Sequence, residues 1–137
     1  MSESGEAYKT FHVHDGLAIK TILPEHGIIP VIMTGRSSGI VEFRAKELGI
    51  KYIYQDVSDK AEKLKEIARL FECEDEEVAY IGDDIADLEA MKRCGKRGCP
   101  ANAVKGIKKI SDYVTEVNGG EGAVREFVEW LMEQGAI

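Results

Sequence analysis

Three carboxylates stand close together just after an apolar run in the second half of the chain. Residues 78–81 are apolar, Gly82 permits a sharp turn, and Asp83, Asp84 and Asp87 follow. Such carboxylates repel one another unless a cation or a basic side chain compensates their charge. Oxygen ligands at the carboxyl end of a buried strand suit Mg²⁺. The alternative is helix capping by Asp83 or Asp84 with Asp87 exposed; because capping needs only one carboxylate, the pattern favours a metal site.

A second group of residues has the chemistry of an anion site. Thr34, Gly35 and Arg36 follow an apolar run at residues 28–33. A hydroxyl, the backbone N–H groups at a helix start and a guanidinium can all donate hydrogen bonds to phosphate oxygens. The alternative is that Thr34 or Ser37 only caps the next helix, and this segment alone does not decide between the two.

Lys60 is a basic residue at an unusual position, because it stands in the first turn of a predicted helix. A cation there is unfavourable with respect to the helix dipole. We therefore expect Lys60 to face an anion or a carboxylate, the alternative being an ordinary solvated lysine.

The histidines and cysteines make a weaker case for metal binding. His12 and His14 would point to the same face of a short strand predicted at residues 8–14, but no third His or Cys lies nearby. The three cysteines are odd in number and form no C-x-x-C pair. We therefore expect neither disulfides nor a zinc site.

The composition is that of a soluble protein of ordinary size for one domain. The 137 residues are 44% hydrophobic and 31% charged, and the net charge is −7. This charge argues against a nucleic-acid partner or a membrane surface. The first residues lack the apolar core of a signal peptide, and no apolar run approaches the roughly 18 residues that span a bilayer. We therefore expect a cytoplasmic protein with reduced cysteines.

The chemical groups must be positioned by strands that alternate with helices. Apolar runs predict strands at residues 28–33, 50–55, 78–81 and 112–115, and a strand or loop from residue 99. Helical spacing predicts helices at roughly residues 15–23, 38–48 and 58–71, from Asp87 onward, and after the glycine-rich turn at 118–122. The acidic run at 72–77 is predicted to be a solvated loop. This alternation predicts an α/β fold with a parallel sheet.

The order of the three chemical elements resembles that in a known superfamily. Thr34 after a strand, Lys60 at a helix start and the segment GDDIAD after a strand are similar to motifs of the haloacid dehalogenase-like phosphatases. The segments FHVHDGLAIK, MTGRSS, LGIKYIYQDVSDK, EEVAYIGDDIADLEAM and GGEGAVRE resemble the capless branch that includes 3-deoxy-manno-octulosonate 8-phosphate phosphatase. The resemblance begins at about residue 5 and covers almost the whole chain. It implies a Rossmann-like three-layer sandwich with a mostly parallel sheet, and Mg²⁺-dependent hydrolysis of a small phosphorylated sugar acid.

The resemblance also implies roles for the residues of the motifs. Asp83 would be the direct Mg²⁺ ligand, with Asp84 nearby or bound through water. Thr34 and Lys60 would hold the transferring phosphoryl oxygens, and Asp87 would position Lys60. In the family mechanism an aspartate attacks phosphorus, and water then hydrolyses the aspartyl-phosphate.

The resemblance also implies binding roles for three further residues. Gly35 would contribute to the phosphate site, and Arg36 and His14 would contact the substrate. Family members usually carry Arg where this chain has His14, so this substrate contact departs from the pattern. Family subunits commonly assemble as tetramers, which favours a homo-oligomer.

One motif of the family is missing from the sequence. A D-x-D-G-x-x-T-D segment on the central strand normally precedes the F-H-V-x-D-G segment, but no D-x-D occurs in the 137 residues. Its first Asp is the nucleophile, whose loss typically costs several powers of ten in rate. We therefore expect residues 1–137 to be a single, N-terminally short domain without the usual first central strand, nearly inert alone. The alternative function is a non-catalytic ligand-binding or assembly module.

Overall fold

Short parallel strands alternate with helices in this computed structural model, which describes residues 18–37 and 39–137. The strands are β1 (Val31–Met33), β2 (Tyr52–Tyr54), β3 (Ala79–Ile81), β4 (Lys96–Cys99) and β5 (Tyr113–Val114). Within the described residues, β1 pairs with β2 in one sheet, and β3, β4 and β5 pair in that order in a second sheet. Every one of these pairings is parallel. The predicted α/β class with parallel strands is therefore confirmed.

A helical segment follows almost every strand. A π-helical turn at Ala18–Ile22 leads into α1 (Leu23–Glu25), and the later helices are α2 (Gly39–Glu47), α3 (Lys60–Leu70), α4 (Leu88–Arg93), α5 (Lys105–Ile110) and α6 (Ala123–Glu133). Two 3₁₀ turns, Asp75–Glu77 and Ile85–Asp87, precede β3 and α4. Helix α3 begins where it does because the Asp59 carboxylate accepts a hydrogen bond from the Glu62 N–H at 3.0 Å.

The core is formed by two clusters of buried apolar side chains that share helix α4. One cluster is Met91, Cys99, Ala103 and Ile107, and the other is Leu64, Ala90 and Cys94. The second cluster joins α3, which follows β2, to α4, which follows β3. This packing holds the two sheets together on one side, because each sheet contributes one of the two helices.

Strands β1 and β3 each keep an edge that no described strand pairs with. All three residues of β1 are only partly buried, and Ala79 at the start of β3 is exposed. Both strands, whose apolar runs are typical of buried strands, are thus only partly buried in the structure. Direct pairing of β1 with β3, one expected response to a missing central strand, is not found there. The other candidate strand, residues 8–14, lies outside the described residues.

Three details of the fold differ from the sequence-based expectations. Phe43, a large apolar residue within the helix predicted at residues 38–48, is 67% exposed. The acidic loop contains the Asp75–Glu77 turn, which Glu74 and Glu77 cap reciprocally. Strand β4 ends at Cys99, where the sequence suggested that a strand or loop begins, because tertiary packing buries Cys99 and sets Gly98 against Phe127. A Cβ at Gly98 would lie 2.4 Å from that ring, so the strand passes where only glycine fits.

Among residues 18–37 and 39–137, every helix is too short or too polar to cross a lipid bilayer.

Candidate active site

The segment after β1 is fixed by its backbone. The Thr34 N–H donates to the Tyr54 carbonyl at 2.9 Å, and the Val57 N–H donates to the Thr34 carbonyl at 3.1 Å. The Arg36 N–H donates to Thr34 Oγ1 at 3.2 Å. These bonds extend the β1–β2 ladder beyond the strands and hold Thr34 at their carboxyl end. Gly35 and Arg36 are both exposed, and a Cβ added to Gly35 would make only an ordinary contact with the Val57 carbonyl.

Lys60 and Asp87 form an ion pair that joins the helix after β2 to the turn after β3. Lys60 begins α3, and its Nζ lies 2.8 Å from Asp87 Oδ1. The two side chains are 14% and 7% exposed, so the pair is shielded from water. The expectation that Lys60 faces a carboxylate is met by this contact. The contact is also the one that a positioning role for Asp87 requires, although the role itself stays a prediction.

The Asp87 carboxylate accepts hydrogen bonds from four donors. Oδ1 accepts from Lys60 Nζ and from the Tyr80 hydroxyl, the latter at 2.7 Å. Oδ2 accepts from the backbone N–H groups of Asp83 and Asp84 at 3.1 and 3.2 Å. The carboxylate lies so close to the turn that a Cβ on Gly82 would come within 2.8 Å of it. Gly82 is therefore needed here for space.

Asp83, Asp84 and Asp87 belong to one segment, residues 83–87, which we call the acidic turn. Their negative charges are compensated to different extents by neighbouring groups. Burial disfavours the charged form of Asp87, but hydrogen bonds from Lys60 and Tyr80, with the charge of Lys60, outweigh it and lower the pKa of that carboxyl. Partial burial, together with the charges of Asp87 and Asp84, raises the pKa of Asp83. A carboxylate whose negative charge is under-compensated attracts a cation. Of these two carboxyls, Asp83 is thus the one whose charge the protein leaves less compensated.

At Asp84 the structure shows one of the two alternatives that the sequence left open, which is capping of a helical turn. Its Oδ1 accepts a hydrogen bond from the Ile85 N–H at 2.7 Å, and it forms a reciprocal cap with Asp87 on the Ile85–Asp87 turn. Capping therefore does occur at Asp84. The capping alternative also held that Asp87 is exposed, and this part is wrong, since Asp87 is buried.

The donor set fits part of a Mg²⁺ site. Asp83 and Asp84 are exposed and adjacent in sequence, whereas Asp87 is buried and accepts from its four donors. No group of three or more His, Cys, Asp or Glu side chains in the described chain is arranged to hold a metal. Mg²⁺ is commonly held by one or two carboxylates, with water and substrate phosphate completing its octahedron. The two exposed carboxylates agree with that pattern.

One predicted site residue cannot be compared with the structure, and one residue of the site was not predicted. His14, the predicted substrate contact, lies outside the described residues. Tyr80 was not singled out from the sequence, because it stands inside the apolar run of β3 and its type there indicates core. The sequence signal that could have identified Tyr80 is its hydroxyl, carried by the strand that leads into the acidic turn.

The chain belongs to the haloacid dehalogenase-like hydrolase family. The profile of that family matches residues 52–127. This stretch contains β2, Lys60, the acidic turn and all three strands of the second sheet.

Similar proteins within that family include phosphatases of one named type. The 3-deoxy-D-manno-octulosonate 8-phosphate phosphatase of Yersinia pestis is 38% identical over 132 residues, which are 96% of this chain and 70% of the relative. The crystal structure of the Moraxella catarrhalis enzyme of that name, in complex with magnesium, phosphate and KDO, is 42% identical with a TM-score of 0.86. It covers 90% of this chain and 71% of that one.

A third structure extends the likeness to nearly all of this chain. The cobalt-bound deoxy-D-mannose-octulosonate 8-phosphate phosphatase of Haemophilus influenzae is 37% identical with a TM-score of 0.89, covering 98% of this chain and 79% of that one. The Rossmann-like α/β fold of haloacid dehalogenase-like phosphatases, predicted from the motifs, is thereby confirmed.

Proposed function

We propose that this chain carries the phosphate- and magnesium-binding part of a sugar-phosphate monoester phosphatase of the 3-deoxy-manno-octulosonate 8-phosphate phosphatase type. The substrate class is a small phosphorylated sugar acid, and the cofactor is Mg²⁺. The observation that carries the proposal is the shielded Lys60–Asp87 pair, which places an ammonium next to the exposed carboxylates of the acidic turn. A family whose relatives act on such a substrate supports the same assignment.

In this proposal, different residues bind the phosphoryl group and the Mg²⁺ ion. Lys60 gives one N–H to Asp87, and an ammonium has three donors, so others can reach phosphoryl oxygens. The Thr34 hydroxyl at the end of β1 adds a neutral donor, and Gly35 and Arg36 line the same segment. Asp83, with Asp84 beside it, would hold Mg²⁺. When bound, Mg²⁺ neutralises charge on the phosphoryl group and orients it.

The reaction also requires a nucleophile, and the printed sequence contains no D-x-D segment. We propose that the 137-residue chain by itself is therefore nearly inactive. We expect no Mg²⁺-dependent hydrolysis of p-nitrophenyl phosphate or of a sugar-acid phosphate above background. Fusing a D-x-D-G-x-x-T-D strand in front of the chain should produce turnover, which Lys60→Ala should then abolish.

Two outcomes of that assay would contradict the proposal. Robust Mg²⁺-dependent hydrolysis by the purified chain would show that a different residue supplies the nucleophile. A folded fusion protein that stays inactive with every phosphomonoester tried would remove the reason to assign phosphatase chemistry to this chain.

A non-catalytic assembly module is the second candidate. The unpaired edges of β1 and β3 in the described residues favour it, because open parallel edges invite pairing with another chain. Conversely, an assembly module has no physical need for the acidic turn or for an ion pair shielded beside it. A homo-oligomer, with a tetramer favoured, is compatible with both candidates. A cytoplasmic location and a single domain over residues 1–137 remain predictions.

A further inference from the structure

Tyr80 connects the core to the candidate active site. Its ring packs against both buried clusters, the one around Met91 and the one around Leu64. Its hydroxyl donates to Asp87 Oδ1 at 2.7 Å. Because the ring is held on two sides, the direction of this hydroxyl is set by the core.

Tyr80 and Lys60 share one oxygen of Asp87. Oδ1 accepts from the Tyr80 hydroxyl and from Lys60 Nζ at 2.8 Å, while Oδ2 is occupied by the backbone of the acidic turn. Rotation of the carboxylate would break bonds on both oxygens at once. The Tyr80 hydroxyl therefore fixes the atom against which Lys60 is aligned. Burial, reinforced by the hydrogen bond to Asp87, raises the pKa of Tyr80, so its hydroxyl remains a donor at neutral pH.

We propose that Tyr80 is a positioning residue, whose hydroxyl holds Asp87 so that the Lys60 ammonium points at the phosphate-binding position. This inference rests on the proposed function, since it assumes that Lys60 binds phosphate. Without the hydroxyl, Oδ1 keeps one donor instead of two, and Lys60 gains freedom to follow the carboxylate. Lys60 then has to be ordered when phosphate binds, and ordering a long side chain costs affinity.

The test compares two tyrosines that make the same kind of bond. Tyr113 donates to Glu126 Oε2 at 2.6 Å, on β5 and α6, and neither residue belongs to the candidate site. Tyr80→Phe and Tyr113→Phe each remove one hydroxyl and keep the ring. Inorganic phosphate is titrated in the presence of Mg²⁺ by calorimetry, and the melting temperature of each variant is recorded.

We expect Tyr80→Phe to weaken phosphate binding by about three- to tenfold. Tyr113→Phe should bind phosphate like the parent chain, even where it lowers the melting temperature by a similar amount. Equal phosphate affinity of Tyr80→Phe and the parent, in a chain where Lys60→Ala loses binding, would overturn the inference. An equal loss in both tyrosine variants would also overturn it, because the effect would then be one of general stability.

The parent chain and Lys60→Ala separate this inference from the proposed function. Absence of phosphate binding by the parent, or unchanged binding by Lys60→Ala, contradicts the proposed function and overturns the inference with it. A measurement that keeps the hydroxyl at position 80 covers the case in which Tyr80→Phe does not fold. With 3-fluorotyrosine in the parent chain, phosphate should shift the ¹⁹F resonance of Tyr80 and leave that of Tyr113 in place. A Tyr80 resonance that does not respond to bound phosphate would overturn the inference.

Discussion

At the scale of single residues, Asp87 carries more contacts than any other side chain of the acidic turn. Its four donors come from α3, from β3 and from the turn itself. Removing its charge would leave the Lys60 ammonium without its carboxylate partner in a place that is shielded from water. The residue therefore acts on the fold and on the site together.

Asp87→Asn should lower the free energy of unfolding by about 2–4 kcal/mol, because breaking a shielded ion pair leaves one charge without a partner. Urea unfolding at neutral pH measures this loss. The matched control is Glu66→Gln, which breaks the exposed Lys63–Glu66 pair of 2.9 Å. That change should cost about 0.5 kcal/mol or less. A loss in Asp87→Asn no larger than the control would contradict the role given to the pair.

The sequence was sufficient to identify most of the chemically important residues. It was not sufficient to predict which residues contact one another. Residue type and spacing singled out Lys60 and Asp87, since a first-turn lysine and a cluster of carboxylates both need compensation. The sequence did not show that Asp87 is buried and Asp83 exposed, because all three carboxylates follow the same turn. Tyr80 escaped because a tyrosine in an apolar run is typical of core.

At the scale of elements, one arginine holds the ends of two helices. Arg97 on β4 donates from Nη2 to the Lys92 carbonyl at 2.7 Å, near the end of α4. It also reaches the Cys94 carbonyl and, at 3.5 Å, the carbonyl of Ile110 at the end of α5. Carbonyls at the end of a helix lack partners within the helix, and a cation there is favourable.

Arg97→Met should therefore lower the free energy of unfolding by about 1–3 kcal/mol, with the apolar stem of the side chain retained. Thermal and urea unfolding measure the effect. Arg93→Met is the control, since Arg93 forms an ion pair with Asp75 at 3.1 Å and its side chain is 36% exposed. It should cost about 1 kcal/mol or less. If both variants lose the same stability, Arg97 is not a cap for the two helices.

The order of the elements could be predicted from the sequence, because apolar period and capping residues are local signals. The strand β4 was misplaced since its residues, Lys96 to Cys99, include two basic side chains and a glycine. What makes them a strand is the space beside Phe127 and the pairing with β3 and β5, both set by distant parts of the chain. Phe43 lies two positions from each of the buried residues of α2, Val41 and Ala45, so it faces away from them and is exposed.

At the scale of the molecule, one edge of β1 and one edge of β3 have no paired strand among the described residues. Backbone groups that stay buried without a partner cost about 1–3 kcal/mol each. A protein stable by only about 5–15 kcal/mol tolerates few of them. Neither edge could be located from the sequence alone, since their pairing depends on which strands meet.

We therefore expect self-association of the purified chain. Light scattering coupled to size exclusion should give a mass above that of one chain, with a tetramer favoured. Adding a peptide or fused segment that can pair with both edges should change this mass if the edges form the contact. A stable monomer over the whole concentration range would contradict self-association through these strands.

The most direct test of the central assignment is a titration with Mg²⁺ of the parent chain and of Asp83→Ala. The acidic turn supplies only part of a coordination shell, so binding should be weak, with a Kd on the order of 1 mM, and Asp83→Ala should lose it. Calorimetry or the shift in melting temperature with Mg²⁺ reports both. Tight binding that survives Asp83→Ala would contradict the placement of the metal, and with it the phosphate- and magnesium-binding site proposed for this chain.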